Sequence, residues 1–390
     1  MKKAMLISCF NWYEKRLQVI RERLISRGYE VAVLLSDFDH ITKAPIEKRY
    51  EECTYLSVSP YAKNLSLARI KSHFAFGKAV AQSLEEHAPN LVYALVPPNN
   101  VARACLAYKD KHPDLVYLVD VIDLWPESMP LKFLKQSFLA RKWAEMRNAS
   151  LKVADGIVLE CDLYRKSLPL DSGLCPNQTL RLFSDYSQEE LLLAKEVADQ
   201  QTFDPLLKTI NFAYVGSLNS ITDYDGILAI VKAFITKGWQ VVFHIIGEGQ
   251  KREGFLSDLT SSGCQVYYHG MIFDKPSKIK LVAGCDFAFN MMIDQVTVGL
   301  TMKSLDYLSM GLPMINSIKG DTWDIIETHG IGINYEGQPD RVVSVCQKLD
   351  YRNMRAKVWE VLMSQFTREA FEDQIKQFLT AVLDKGDRCV

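Results

Sequence analysis

Nowhere does the 390-residue chain approach the roughly 18 consecutive apolar residues of a membrane-spanning helix. It also lacks an excess of either charge. Forty-six Lys plus Arg against 47 Asp plus Glu leave a net charge of −1, which excludes a dedicated nucleic-acid binder, because such affinity rests on surplus cations. The nine cysteines are scattered, odd in number and contain no Cys-x-x-Cys, so neither a disulfide scaffold nor a zinc site is expected. They read as small buried apolar residues of a protein in a reducing cytoplasm. There is no low-complexity tract and no short repeat. Two phosphate-binding signatures are missing as well. Gly247-Glu248-Gly249 is followed by Gln250-Lys251-Arg252, so the Gly-x-Gly-x-x-Gly dinucleotide fingerprint fails at its third glycine, and no Gly-x-x-x-x-Gly-Lys-Ser/Thr occurs. Dehydrogenases and P-loop enzymes are thereby disfavoured.

What is present is an ordinary soluble composition, 48% apolar and 24% charged, over a length that suggests two domains. Met1-Lys2-Lys3 followed by Ala4–Phe10 superficially resembles a secretion signal, but the apolar stretch ends at once in Asn11-Trp12-Tyr13-Glu14-Lys15-Arg16, so a first strand is expected instead. Leu17, Ile20 and Leu24 then recur at helical spacing, with Lys15, Arg16, Arg21 and Arg23 on the other face, and Gly28 stops that helix. Apolar runs at Val31–Leu35, Leu91–Val96, Leu115–Val121, Gly156–Leu159 and Thr179–Phe183 alternate with helical stretches, the pattern of a parallel sheet covered on both faces.

Residues 184–205 turn acidic and read as a connector with a short surface helix. From Thr209 the rhythm restarts, with strands expected at Ile210–Val215, Gln240–Ile246, Gln265–His269, Phe287–Met291, Pro313–Asn316 and Ile331–Asn334. The tail from Thr367 to Lys385 carries Phe371, Ile375, Phe378, Leu379 and Val382 at helical spacing, an amphipathic helix that would cross back onto the first half. The expected domains are residues 1–185 together with 367–390, and residues 206–366. In such α/β sheets a ligand site lies outside the carboxyl ends of the strands.

Several residues stand at such ends. Gly216-Ser217 follows the strand ending at Val215, and Gly247-Glu248-Gly249 follows the one ending at Ile246. Glycine where a strand turns toward a helix leaves backbone N–H groups for an anion, although any tight turn also needs glycine. In Gly299–Pro313 a helix starts near Thr301 and ends before Gly311, placing Lys303 and Asp306 on one face. A cation there meets a diphosphate and an acid one turn on accepts from ribose hydroxyls. Taken alone, the two would equally form a surface pair worth about 0.3–0.5 kcal/mol. In the first half, Asn11 follows the first strand, while Asp123 and Glu127 follow the fourth. Paired acids of this kind serve inverting enzymes as a general base, and Asp123 reads equally as a turn residue before Pro126.

Tyr214-Val215-Gly216-Ser217-Leu218, Ile246-Gly247-Glu248-Gly249, His269-Gly270 and Lys303-Ser304-Leu305-Asp306-Tyr307-Leu308-Ser309-Met310-Gly311-Leu312-Pro313 occur in that order. The set resembles the donor half of a family 4 retaining glycosyltransferase of the GT-B fold, in particular bacterial capsule and O-antigen transferases. Asp123-Leu124-Trp125-Pro126-Glu127 is similar to a segment of the same group. The resemblance implies an α/β protein of two facing Rossmann-like domains that moves a sugar from a nucleotide-diphosphate donor, UDP-sugar rather than GDP-sugar, onto a lipid-linked or oligosaccharide acceptor. No metal ion or other cofactor is implied.

Carried over by position, Gly216, Ser217 and Lys303 contact the diphosphate, with Ser304 beside them, and Gly247, Glu248 and Gly249 form the second turn. Asp306 would hold the ribose, and the loop containing His269 and Met271 would face the base through its backbone. Catalysis would rest on Lys303 and on Asp123 as a positioning group, with Asn11 and Glu127 on the acceptor side. The pattern departs from the family at Val298, where a first motif Glu is usual, and at Ser217-Leu218-Asn219-Ser220, where an Arg and a Lys are often found. Two further readings follow: a nucleotide-sugar 2-epimerase of the same architecture, and a degenerate transferase serving as a partner subunit.

Asp37-Phe38-Asp39 and Asp223-Tyr224-Asp225 match the Asp-x-Asp of metal-dependent transferases, but the two-half organisation disagrees with that class. His244 and His269, flanked by apolar strand residues, read as buried hydrogen-bonded side chains rather than metal ligands. Residues 130–152 hold six cations and one acid, with Leu131, Leu134, Phe138, Leu139, Trp143 and Met146 at helical spacing. They read either as a basic amphipathic helix on an anionic membrane, the inner face for a cytoplasmic protein, or as a core-packed helix with a solvated basic face.

Overall fold

A computed structural model of the chain describes residues 1–47, 50–64, 66–129, 137–170 and 175–384. It divides into two compact units, Met1–Leu182 with Phe371–Val390, and Phe183–Ala370. Each is a parallel sheet flanked by helices.

The first unit contains β1 (Lys2–Ser8), β2 (Tyr29–Ser36), a small antiparallel pair β3 (Phe38–Asp39) and β4 (Ala44–Pro45), then β5 (Cys53–Leu56), β6 (Leu91–Val96), β7 (Val116–Val121), β8 (Gly156–Leu159) and β9 (Asn177–Thr179). Its sheet runs β5-β2-β1-β6-β7-β8-β9, all parallel. The order reverses direction between β1 and β6, the switch point of a doubly wound sheet. Continuous apolar runs form these strands because both faces are covered; every residue of β6 is buried. The expected strand at Thr179–Phe183 lies two residues earlier, at Asn177–Thr179. Leu180 N still donates to Leu159 O of β8 (2.8 Å), but its carbonyl accepts from Arg16 Nη1 (2.9 Å) instead of a strand.

Arg16 is itself a correction. Helical periodicity placed it on the polar face of the first helix, Glu14–Ser26, yet it is 2% exposed. Its guanidinium forks onto Asp120 of β7 (Nε to Oδ2 2.7 Å, Nη2 to Oδ1 3.1 Å), and Tyr93 donates to the same carboxylate (2.8 Å). The Phe371 ring lies 4.9 Å from the guanidinium carbon. Phe371 belongs to the last helix, Arg368–Leu383, whose Phe371, Ile375, Phe378 and Leu379 are buried and whose Glu372 pairs with Arg23. Gly156 is needed under this helix, since a Cβ there would press on Phe378 and Val382 at 2.8 Å.

The second unit contains β10 (Thr209–Val215), β11 (Gln240–Ile246), β12 (Gln265–Tyr268), β13 (Phe287–Asn290), β14 (Met314–Asn316) and β15 (Gly332–Asn334) in the order β12-β11-β10-β13-β14-β15. This is the strand order of a dinucleotide-binding Rossmann sheet, with its switch point between β10 and β13. Phe212, Phe243, Phe289 and Phe234 meet in its core. The acidic connector becomes the helix Gln188–Asp199, started by a capping box of Ser187 and Glu190, and it groups with this unit, packed on the helix Lys275–Val282. The fold is α/β with two Rossmann-like domains.

Candidate active site at the carboxyl ends of the second sheet

The helix Met302–Ser309 begins at this switch point. Thr301 caps it, its hydroxyl accepting from Ser304 N (3.1 Å). Beneath the cap lies a buried polar ladder. Asn290, Asn316 and Asn334 are the last residues of β13, β14 and β15 and stand in register. Asn290 Nδ2 donates to Ser304 Oγ and Asn316 Oδ1 (3.0 Å each), and Asn316 Nδ2 donates to Asn334 Oδ1 (3.1 Å). Thr301 donates to Asn290 Oδ1 (3.0 Å). A fully bonded network of this kind fixes one geometry, because any slip strands a buried donor. Tyr307, fully buried, bridges the central strands: it accepts from Val215 N (2.9 Å) and donates to Phe289 O (3.3 Å).

That frame aims Lys303. Its ammonium donates to the Tyr214 hydroxyl (3.1 Å) and stands 4.5 Å from the Tyr214 ring centroid. Among the described residues no carboxylate pairs with it. Burial lowers its pKa to about 8, because the cation loses hydration and gains no counter-charge. Gly216 lets the side chain pass. Its φ is +140°, and a Cβ would lie 3.1 Å from Lys303 Cε. Gly247, with φ +141°, presses so closely on the Gly216 carbonyl that no side chain fits.

The two glycine turns differ from expectation in one respect. Alternate N–H groups, those of Gly216, Leu218 and Gly247, are taken up by the neighbouring turn and the next loop. Gly216 N donates to Ile246 O (2.9 Å), Leu218 N to Glu248 O (2.9 Å) and Gly247 N to Gly270 O (2.8 Å). Nor does either turn open directly into its helix, which starts at Tyr224 in one case and Arg252 in the other. The exposed Ser217 keeps an N–H without a protein partner among the described residues.

The other expected donor residues are placed as follows. Ser304 lies inside the ladder and is fully buried, so its hydroxyl serves the frame rather than a ligand. Asp306 is reached by Tyr186 Oη (3.0 Å) and Lys278 Nζ (3.3 Å), and its side chain is 28% exposed. Glu248 is held by Tyr268 and Arg252. His269 Nε2 stands 3.1 Å from His244 Nδ1 in a stacked pair, and burial lowers both pKa values. Met271 is exposed. An open depression of about 480 Å³ lies beyond β13 to β15, lined by Asp223, Ile293, Ser317, Lys319 and Tyr335 among others.

In the first unit both Asp123 oxygens are filled by the residue's own turn. Oδ1 accepts from Leu124 N (2.7 Å) and Ser128 Oγ (2.5 Å), and Oδ2 accepts from Trp125 Nε1 (2.6 Å). Burial nevertheless raises its pKa. Glu127 forms a two-pronged pair with Arg147 (2.7 and 2.9 Å), itself fully buried. Asn11 donates to Asp39, while its Oδ1 is buried without a partner. In the two Asp-x-Asp segments three of the acids are engaged locally. Asp37 accepts from Val58 N (3.0 Å), Asp39 from Ile41 N (2.7 Å), and Asp223 caps its helix through Gly226 N (2.9 Å). Among the described residues no group of three or more His, Cys, Asp or Glu is arranged to hold a metal ion.

Tyr214, the platform of Lys303, was not legible as such, although it opens the Tyr214–Leu218 segment of the same set of motifs. The asparagine ladder was likewise not anticipated, although its signal was visible: Phe-Ala-Phe-Asn, Met-Ile-Asn and Gly-Ile-Asn each close a strand with the same residue.

Residues 209–349, the core of the second unit, match the family model of glycosyl transferases group 1. No protein of curated function matches the sequence. Among solved structures, sucrose-phosphate synthase from Thermosynechococcus elongatus is 13% identical with a TM-score of 0.66, over 99% of this chain and all of that one. The Anabaena protein HepE, solved in complex with UDP, is 12% identical with a TM-score of 0.66, over 97% of this chain and all of that one. The lipopolysaccharide outer core galactosyltransferase WaaB is 16% identical with a TM-score of 0.63, over 99% and 100%. At these identities the likeness is one of fold.

Proposed function

We propose that the protein is a glycosyltransferase that moves a sugar from a nucleoside-diphosphate donor, held by the second unit, onto an acceptor held by the first. One observation carries the reading: a part-buried ammonium that no carboxylate among the described residues pairs with, Lys303, stands beside Gly216 and the open Ser217 N–H at the switch point of a domain matching glycosyl transferases group 1. A diphosphate is the partner such a cation lacks. At ~4 Å and an effective dielectric of ~20 the attraction is on the order of 4 kcal/mol before desolvation. As the sugar–phosphate bond breaks, negative charge grows on the bridging oxygen, and a donor fixed in advance stabilises that charge without reorganising.

Retention fits the first unit. Asp123 is occupied by its own turn and Glu127 by Arg147, so neither stands as an open base for back-face attack. In a front-face reaction the departing phosphate takes the acceptor proton, Asp123 shapes the loop that positions the sugar, and no metal is required. UDP is preferred as the nucleotide, in keeping with the UDP complex of the similar HepE structure. The test is a thermal-shift screen of nucleotide sugars followed by assays of hydrolysis and transfer. UDP-sugars are expected to stabilise the protein and to turn over; binding of none of them overturns the reading.

The family 4 and capsule or O-antigen assignments, with a lipid-linked acceptor, rest on the motif resemblance. A cytoplasmic enzyme peripheral to the membrane is the matching location. No helix among the described residues is long and apolar enough to cross a membrane. Residues 130–136 of the expected basic helix lie outside the described residues. The remainder forms the helix Phe138–Leu151, which departs from expectation in both directions. Arg147 is buried in its ion pair, whereas Phe138 and Leu139 are exposed next to Arg141 and Lys142. Exposed apolar residues beside cations suit an anionic bilayer. Flotation with anionic liposomes at low salt should carry the protein upward, and Leu139→Glu should leave it at the bottom.

A further inference from the structure

At the switch point of the first unit stands a second set of cations that no carboxylate among the described residues pairs with. Arg69 stands on the first turn of the helix Leu67–His87, its guanidinium carbon 4.4 Å from the Trp125 ring centroid and 5.7 Å from that of Tyr61. Its guanidinium donates to the carbonyl of Asn64 (3.2 Å) and is within reach of the Tyr61 hydroxyl, while its Nε is buried without a partner among the described residues. Lys43 lies on the other side of the same tyrosine, its ammonium 5.0 Å from the Tyr61 centroid and bonded to Asn64 Oδ1 (2.5 Å) and the His40 carbonyl. It is carried by a residue with φ +61°, a conformation that side-chain-bearing residues rarely adopt. Among the described residues no carboxylate forms an ion pair with Arg69 or Lys43.

Nearby acids compensate only in part: Asp123 acts on Arg69 and Asp39 on Lys43 through space, yet among the described residues neither closes an ion pair. His40, which meets the Tyr61 hydroxyl, and His73, stacked on Trp125 at 5.5 Å, are both nearly buried and kept neutral. Burial, with the nearby Arg69 charge, lowers their pKa values to about 4 and about 2. Asp39 is spent on the backbone of Ile41 and Thr42. Beside Arg69, His73 Nε2 (residue 3% exposed) is a buried polar atom with no partner, and the Ser72 hydroxyl (1%) on the same helix is another. Two like charges astride one ring, over unbonded buried polar atoms, are arranged for a ligand that carries the opposite charge.

We propose that Arg69 and Lys43, on the aromatic platform of Trp125 and Tyr61, bind an anionic group of the acceptor, a phosphate or a carboxylate. The platform suits a sugar or other flat apolar face attached to that anion, because Trp12, 46% exposed and stacked on Phe10 at 5.0 Å, extends it to solvent. This deepens the transferase reading and rests on it for the word acceptor; the anion site itself does not.

The full-length protein, saturated with UDP to fill the donor site, is titrated with glucose 1-phosphate and, separately, with glucuronate, following tryptophan fluorescence. One of the two anions is expected to bind, and R69Q and K43Q are each expected to weaken it about tenfold or more, as loss of a charged hydrogen bond implies. R69K, which keeps the charge, should retain part of the affinity, and circular dichroism confirms that the variants fold. A preference for glucose 1-phosphate points to a phosphorylated acceptor and a preference for glucuronate to an acidic sugar; both support the site. Affinity unchanged in folded R69Q and K43Q, or lost instead in K303A, overturns it. UDP binding in the same samples reports separately on the donor reading, so either can fail alone.

Discussion

Lys303→Ala is expected to reduce sugar transfer by roughly 10²–10³-fold, the cost of deleting one preorganised donor to a developing negative charge. The same substitution should make the protein more stable at neutral pH. Lys303 is part-buried with no anion beside it among the described residues, and its pKa falls from 10.5 to about 8. The sign follows from linkage. Between about pH 8 and 10.5 the unfolded chain holds a proton that the folded chain has released, so stability rises with pH across that window. Below pH 8 the folded protein carries the full penalty of a desolvated cation, up to a few kcal/mol. Lys303→Ala removes that penalty, so its urea midpoint should lie above wild type at pH 7, and the gap should close toward pH 10. UDP should bind wild type less tightly as pH rises through 8 and should bind the variant weakly at every pH. Near-normal turnover in Lys303→Ala would remove the residue from the mechanism; a lower midpoint at pH 7 would contradict the account of its burial.

The largest structural effect is expected at Arg16. Arg16→Leu leaves the Asp120 carboxylate buried with only Tyr93 donating to it. Breaking a buried pair by removing one partner costs about 3–5 kcal/mol, a large share of a domain's stability. Because Arg16 also holds the Leu180 carbonyl and underlies Phe371, the damage should reach the last helix. Hydrogen exchange across Phe371–Leu383 should accelerate first. The double variant Arg16→Leu, Asp120→Asn should recover much of the loss, since a neutral amide still accepts from Tyr93 and leaves no bare charge. A loss below about 1 kcal/mol in the single variant would mean the pair is not a determinant of this unit.

The expectation of two α/β units held because parallel strands covered on both faces must be apolar throughout. Leu91–Val96, Gly156–Leu159 and Gln240–Ile246 were legible to the residue. Short elements were not. Cys53–Leu56 and the pair Phe38–Asp39 with Ala44–Pro45 carry too few residues to show a period, and they become strands only because neighbouring edges bond to them. The donor site was half legible. The Lys-Ser-Leu-Asp-Tyr motif marked the helix and its lysine, but nothing local distinguished Ser304, which is fully buried, from its exposed neighbour Met302.

Arg16 and Arg69 show where local pattern stops. A cation among Lys15, Arg21 and Arg23 reads as a solvated face, and so does one at the start of a helix. Whether it is paired depends on what a segment distant in sequence places beneath it: Asp120 in direct contact with the first, Trp125 under the second, with Asp123 nearby but held by its own turn. The sequence by itself determined the layers of each unit and the position of the lysine-bearing helix, because hydrophobic period and capping are local. Only the tertiary structure decided which charges are paired and which are left for a ligand, since an electrostatic partner is a matter of distance through space and desolvation, neither of which sequence spacing records.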